Sequence, residues 1–344
     1  MLHATHIAVD LAKSVFEIVV SDQPGKVMER HRLPRRTFLE FFANRPTATV
    51  VMEACGTAHF WARKIESLGH RVVLLPPAQV RPYVLRNKTD RTDTRGILEA
   101  HRNDDIHPVP IKSIEQQALT SLHRIRSAWV AERTAKINLL RGLLRELGLV
   151  IPVGAKKAVP HAWAFIEDDE SGIPDALRPV FAELCDEIRA LGERITGAER
   201  QLEAVAKHSA AAARLRTIPG VGLLVATGVL AFVGDIDRFP SARHFASYLG
   251  LTPRESSSGM RRSLGGITKR GDCYLRTMLI HGARAALVHA HRTPAPDRLR
   301  EWALRLERTA GSKRASVALA NKMARIVWAV LKHDRDFKSA PIAA

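Results

Sequence analysis

Apolar residues in the first hundred positions come in short bursts separated by small or polar residues. Ile7-Ala8-Val9, Val15 to Val20, Thr49 to Met52 and Arg71 to Leu75 are rich in β-branched side chains and of strand length. Phe60 to Leu68, between the last two, has helical spacing. Strands alternating with a helix predict an α/β layer with a partly parallel sheet.

From Ala118 the period becomes helical. Ala118, Leu122, Ile125 and Trp129, then Ile137, Leu140, Leu144 and Leu147, share one face. Residues 152–174, with Gly154, Pro160, Glu167-Asp168-Asp169-Glu170 and Gly172, read as a break. Beyond it Phe181, Leu184, Ile188, Leu191, Ile195, Ala198, Leu202 and Val205 alternate steps of three and four. That is the seam of a coiled coil, and it fits equally well an intramolecular hairpin against the 118–147 helix. Ile218-Pro219-Gly220-Val221-Gly222, followed by the apolar run Leu223 to Val233, reads as a helix-hairpin-helix, with Gly220 and Gly222 placed to offer amides to a phosphate; an ordinary interhelical turn is the alternative. A last helix runs from about Ser316 to Leu331. The expected organisation is an α/β domain at 1–112, a helical and coiled-coil region at 113–210, a mainly helical domain at 211–337 and a tail at 338–344.

Charge adds a partner to this outline. The 344 residues carry a formal net charge of +18, which points to an extended polyanion, DNA or RNA. Residues 250–344 hold 19 Lys and Arg against 7 Asp and Glu, so this part is expected to lie against phosphates. Cys55, Cys185 and Cys273 stand far apart and suggest neither a disulfide framework nor a zinc site. The start of the chain lacks the layout of a secretory signal, and the uncharged run Thr217 to Gly234 is interrupted by Pro219, Gly220 and Gly222. The expectation is a soluble cytoplasmic, nucleoid-associated protein without a membrane partner.

Four carboxylates then stand out. Asp10 and Glu53 each end a predicted strand, where a sheet edge opens on a crevice, and Lys88-Thr89-Asp90-Arg91-Thr92-Asp93 places two aspartates three apart, on one face of a helix if one begins there. Singly, Asp10 reads as a turn residue and Asp90 and Asp93 as helix caps. Jointly, in so basic a chain, the four suit a pair of Mg²⁺ ions for phosphoryl transfer.

A second constellation runs from Tyr248 through Gly250-Leu251-Thr252-Pro253-Arg254-Glu255-Ser256-Ser257-Ser258-Gly259 to Gly265-Gly266-Ile267-Thr268-Lys269-Arg270-Gly271-Asp272 and Leu275-Arg276. Composition alone reads it as a flexible Ser/Gly turn on a basic surface. Serine hydroxyls among Arg254, Arg261, Arg262, Lys269 and Arg270 also lie in a field suited to holding a phosphate and attacking its phosphorus.

The blocks His6 to Lys13, Met52 to His59 and Asn87 to Asp93 resemble the signature segments of the DEDD insertion-sequence transposases, the family of the Piv-type pilin invertases and RNA-guided bridge recombinases. Thr94 departs from the alanine frequent there. Matches extend from about His6 to about Leu287, with 150–210 alike only in general character. The resemblance implies a RuvC-like, ribonuclease-H-like first domain and metal ligands at Asp10, Glu53, Asp90 and Asp93. It also implies a serine nucleophile immediately before a glycine, which is Ser258, ahead of its neighbours Ser256 and Ser257. Lys88, Gly220, Gly222, Arg254, Arg261, Arg262, Lys269, Arg270 and Arg276 are the expected nucleic-acid contacts. The implied partners are the DNA of element ends and target, a noncoding guide RNA, and further copies of the chain in a homo-oligomer. The expected activity is a transposase or recombinase that uses Mg²⁺, with a RuvC-like structure-selective nuclease as the alternative. An actin-like sugar kinase, suggested by Ile7-Ala8-Val9-Asp10, lacks a second glycine-rich phosphate loop, and a non-catalytic scaffold leaves the carboxylates without a role.

Overall fold

In the computed structural model, which describes residues 5–23, 26–84, 90–259, 261–294 and 296–339 and omits the side chains of residues 90 and 91, the chain forms two compact units, Met1–Ser113 and Ile114–Ala344. The helical region expected at 113–210 and the domain expected at 211–337 both fall in the second unit.

The first unit is built on five strands, β1 (His6–Asp10), β2 (Val15–Ser21), β3 (Glu29–Pro34), β4 (Thr49–Glu53) and β5 (Arg71–Leu75). Their order is β3-β2-β1-β4-β5. β1 pairs antiparallel with β2 and parallel with β4, and β4 continues parallel with β5. Alternation along each strand sends side chains to two separate cores. On one face Ile7, Val9, Val50 and Met52 pack with Phe16, Phe38, Phe42 and Trp61, under α1 (Phe38–Ala43) and α2 (Ala58–Glu66). Phe38 meets Phe16 edge-on at 4.5 Å and Trp61 at 5.0 Å, contacts worth roughly 0.5–1.5 kcal/mol each beyond area burial. On the other face Ala8, Val19, Val51 and Val73 pack with Val80 of α3 (Pro77–Val80) and with Ile97, Leu98 and Ala100 of α4 (Asp90–His101).

The second unit holds α5 (Ile114–Glu146), α6 (Ala155–Glu167), α7 (Arg178–Lys207), α8 (Ala210–Arg216), α9 (Leu223–Val233), α10 (Ala242–Tyr248), α11 (Cys273–Arg292), α12 (Arg298–Ala310) and α13 (Ser312–Lys332). A two-stranded hairpin, β6 (Pro253–Glu255) with β7 (Leu264–Ile267), interrupts them. The seam on α7 is filled within the chain. Phe181, Cys185 and Ile188 pack with Ile137, Leu140 and Leu144 of α5, and the pairs Lys136–Glu187 at 2.7 Å and Arg126–Glu199 at 2.6 Å fix the two helices antiparallel. This is the hairpin alternative. The buried set differs from the expected one at two places, Cys185 and Ala206 standing in for Leu184 and the exposed Val205.

Two further expectations change. The break at 152–174 contains α6, because Ala158, Ala162 and Ile166 recur every fourth residue and bury against α5 and α7; that burial outweighs the one backbone bond lost at Pro160. The first half of α5 buries Leu119, Thr120 and His123 rather than Ala118 and Ile125. Its burial is polar: Thr120 Oγ1 donates to Ala231 O at 3.0 Å, and His123 is hydrogen-bonded to Tyr274 Oη at 2.7 Å and Thr227 Oγ1 at 3.1 Å. Among the described residues no helix is long and apolar enough to cross a membrane.

Candidate active site

Asp10 and Glu53 end neighbouring parallel strands, each one residue beyond the paired positions Val9 and Met52. By alternation both belong to the face of Ala8 and Val51, the face that α4 covers. Which end of α4 lies near them follows from one contact. The ring of His101, in the last turn of α4, stands 5.3 Å from that of His6 at the start of β1, so helix and strand run in opposite directions. Eight helical residues back to Asp93 cover about 12 Å at about 1.5 Å each, and four strand residues from His6 to Asp10 cover about 13 Å. With Ile97 packed in the core of Ala8 and Val51, these lengths put the Asp93 backbone towards the carboxyl ends of β1 and β4.

Three carboxylates on three elements thus share one end and one face of the sheet. Asp10, Glu53 and Asp93 are all half-buried. The Cys55 thiol registers two of them: burial raises its pKa, and the negative charges of Glu53 and Asp10 raise it further. The turn after Glu53 is strained, with Thr57 at φ 72°, a conformation that costs a β-branched residue of order 1–3 kcal/mol. A carboxylate donor set suits a hard divalent cation such as Mg²⁺. Among the described residues no three His, Cys, Asp or Glu side chains are drawn together closely enough to hold a metal. The Asp90 backbone opens α4, whereas its side chain and the whole of Lys88 lie outside the described residues.

Sequence reasoning passed over one neighbour. Glu17 lies directly across from Asp10 in the β1–β2 register and hence on the same face, and its Oε1 is 3.3 Å from the Arg32 guanidinium. The only sequence signal is its polar place in an otherwise apolar strand.

The serine block is a β-hairpin rather than a loose loop. Ser256 N–H donates to Ser263 O at 2.9 Å, and Ser258 and Arg261 exchange backbone bonds of 3.2 and 3.1 Å around the tip. Ser258 is exposed, and its hydroxyl bonds to no other described residue. Ser257 Oγ donates to Glu255 at 2.8 Å, and Arg262 pairs with the same carboxylate at 3.1 Å; the Ser257 bond first, then Arg262, lowers the Glu255 pKa. Arg254, Arg261, Lys269 and Arg270 are exposed along the hairpin and its base. The base is clamped by two glycines: a Cβ on Gly250 would fall 2.0 Å from Arg270 O, and one on Gly271 would fall 1.8 Å from Tyr248 O.

Two of the expected nucleic-acid contacts also hold structural contacts within the chain. Arg276 is buried, and its Nη1 donates to Leu249 O at 3.2 Å and Arg270 O at 3.4 Å, so it braces the hairpin base. Gly220, at φ 84°, lets the α8–α9 turn close on Gly282 of α11, whereas Gly222 is exposed at the start of α9.

The fold and these residues mark a carboxylate-bearing α/β unit joined to a basic helical unit, the plan of a DNA-processing enzyme. Residues 212–298 match the family described as Transposase IS116/IS110/IS902 family, and residues 7–148 match the DEDD transposase family of IS110, described as Transposase. The chain is 41% identical to a "Probable family 20 transposase" of Pseudomonas aeruginosa, over 98% of this chain and 99% of that one. It is 40% identical to the "Transposase for insertion sequence element IS1111A" of Coxiella burnetii, over 96% and 91%. It is 26% identical to the "Pilin gene-inverting protein" of Moraxella bovis, over 97% of each. The chain belongs to the IS116/IS110/IS902 transposase family and is a DNA transposase or recombinase enzyme.

Proposed function

We propose that this transposase breaks and rejoins DNA strands of an insertion sequence through the carboxylates Asp10, Glu53, Asp90 and Asp93 and the hydroxyl of Ser258. The observation that carries this reading is the shared end and face of Asp10, Glu53 and Asp93, reached from β1, β4 and α4. The four carboxylates would hold Mg²⁺, which would supply positive charge to the scissile phosphate. Ser258 Oγ attacks phosphorus, the bond from phosphorus to one DNA oxygen breaks, and the serine proton ends on the departing DNA hydroxyl. The phosphodiester is conserved as a phosphoserine link, so the reverse attack by a DNA hydroxyl rejoins a strand without an energy-rich cofactor. Arg254, Arg261, Arg262, Lys269 and Arg270 on the hairpin neutralise the phosphate as it is attacked.

The resemblance to bridge recombinases supports a noncoding guide RNA and a homo-oligomer as the active form, and the gene inversion for which the Moraxella relative is named supports site-specific recombination. A RuvC-like hydrolase that uses water is the second reading. It is favoured by one observation: no base among the described residues is hydrogen-bonded to the Ser258 hydroxyl. Incubation with end-labelled element DNA, then denaturing gel electrophoresis, separates the two. Ser258→Ala is expected to bind DNA but to lose the protein–DNA adduct, while Ser256→Ala and Ser257→Ala keep it. Cleavage undiminished in Ser258→Ala without any adduct selects the hydrolase.

A further inference from the structure

A groove of about 1010 Å³ lies between the β6–β7 hairpin and α13. Its floor is apolar, formed by Leu264 and Ile267 of the hairpin, Val317 of α13 and Trp302 of α12. Its rim is cationic, with Lys313, Arg314, Lys322 and Arg325 along α13 and no carboxylate among the described lining residues. None of these four cations forms an ion pair with a described acidic residue. Residues 314, 318, 321, 322 and 325 follow helical spacing and hold this face, while Ala315, Leu319, Met323 and Val327 enter the core on the other. Asn321 Nδ2 donates to Leu251 O at 2.9 Å, which ties the helix to the start of the hairpin. Lys322 is half-buried with its Nζ 4.2 Å from the Trp302 ring centre, and burial first, then the charges of Arg298 and Arg325, lower its pKa. A cation crowded by like charges and short of water is stabilised by an anion brought from outside.

A duplex presents phosphates on its outside and keeps its bases stacked within. It would engage the rim and leave the exposed Leu264, together with Val317 and Ile267, against water. An unpaired strand supplies both phosphates for the rim and base faces for the apolar floor. The floor presents no cluster of polar groups that would select a ribose hydroxyl. The same hairpin that forms one wall carries Ser258 at its tip.

We propose that this groove binds an unpaired DNA strand leading away from the phosphate at Ser258. The choice of DNA rests on the transposase reading above; the groove's preference for a single strand does not. The test uses the full-length protein and fluorescein-labelled oligothymidylate, oligouridylate and a DNA duplex of equal length. The Lys322→Gln/Arg325→Gln double variant is expected to lose roughly tenfold in oligothymidylate affinity and to flatten the log-affinity against log-salt slope by about 1.4, at about 0.7 per phosphate on single strands. Duplex affinity, which draws on the rim alone, is expected to fall by less. Leu264→Ser, at an exposed position that leaves folding intact, is expected to weaken oligothymidylate and spare the slope. Unchanged oligothymidylate affinity, an equal loss on the duplex, or a loss confined to oligouridylate each overturns the proposal. If oligothymidylate binding falls while Ser258→Ala retains its adduct, the groove stands and the nucleophile assignment falls.

Discussion

A Cβ on Gly220 would come within 2.5 Å of the carbonyl oxygen of Gly282, and one on Gly282 within 2.1 Å of the carbonyl oxygen of Gly220. The α8–α9 turn and α11 therefore touch backbone to backbone. Gly220→Ala is expected to destabilise the protein by about 2–4 kcal/mol, combining the positive φ with overpacking against an immovable carbonyl. Gly222, at φ −91° with open space beyond its α-carbon, is expected to accept alanine within about 0.5 kcal/mol. Thermal denaturation of the two variants decides it; equal losses would show that the turn is not held by this contact.

Arg276 is expected to matter for folding and not for phosphate binding. Arg276→Ala takes a donor from the buried Leu249 carbonyl oxygen, at about 1–3 kcal/mol, and from the part-buried Arg270 carbonyl at less, while the salt dependence of DNA binding keeps its slope. Lys269→Gln and Arg262→Gln, both exposed, are expected to do the reverse, lowering the slope and sparing the melting temperature. Filter binding across a salt series together with a melting curve reads both effects.

His123 sets an acid limit on the second unit. Burial first, then the Arg126 charge, lowers its pKa to about 4, against an ordinary 6.5. Between those values the unfolded chain binds the proton and the folded chain does not, so stability is full above pH 6.5 and declines as the pH falls towards 4. Glu29, held at about 2 by its bonds to Arg45 first and His31 next, declines only from its ordinary 4.5 downward. Melting temperatures from pH 7 to 4 are expected to fall in the parent. The His123→Gln protein, whatever its own stability, is expected to show a flatter profile over that range; a parallel decline would remove His123 as the cause.

What the sequence displays and what it hides divide along physical lines. β1, β2, β4 and β5 are legible because their faces are buried and their residues β-branched. β3 is not, because Glu29 to Pro34 is an edge strand with no fully buried side chain. The hairpin of β6 and β7 is exposed and glycine-rich, so no apolar period marks it. In α5 the buried Thr120 and His123 make polar contacts that no apolar period can register. At the site, the strand-end positions of Asp10 and Glu53 are visible in the sequence. The direction of α4 that brings Asp93 to them depends on the docking of His101 on His6, and the cross-strand place of Glu17 depends on register.

That neighbour supplies the sharpest control on the carboxylate site. Glu17 shares the end and face of Asp10 but pairs with Arg32, so it is expected to stand outside the metal-holding set. The most direct measurement is Mg²⁺-dependent strand rejoining on a plasmid carrying the element's own ends, scored by amplification across the new junction. DNA binding is measured alongside. Asp10→Asn, Glu53→Gln and Asp93→Asn are each expected to lose rejoining by at least about a hundredfold at parental DNA affinity, comparable to removing a group that stabilises the transition state. Glu17→Gln is expected to stay within a few-fold of the parent. Rejoining by Asp10→Asn at the parental level, or a loss in Glu17→Gln as deep as in Asp10→Asn, would contradict the account.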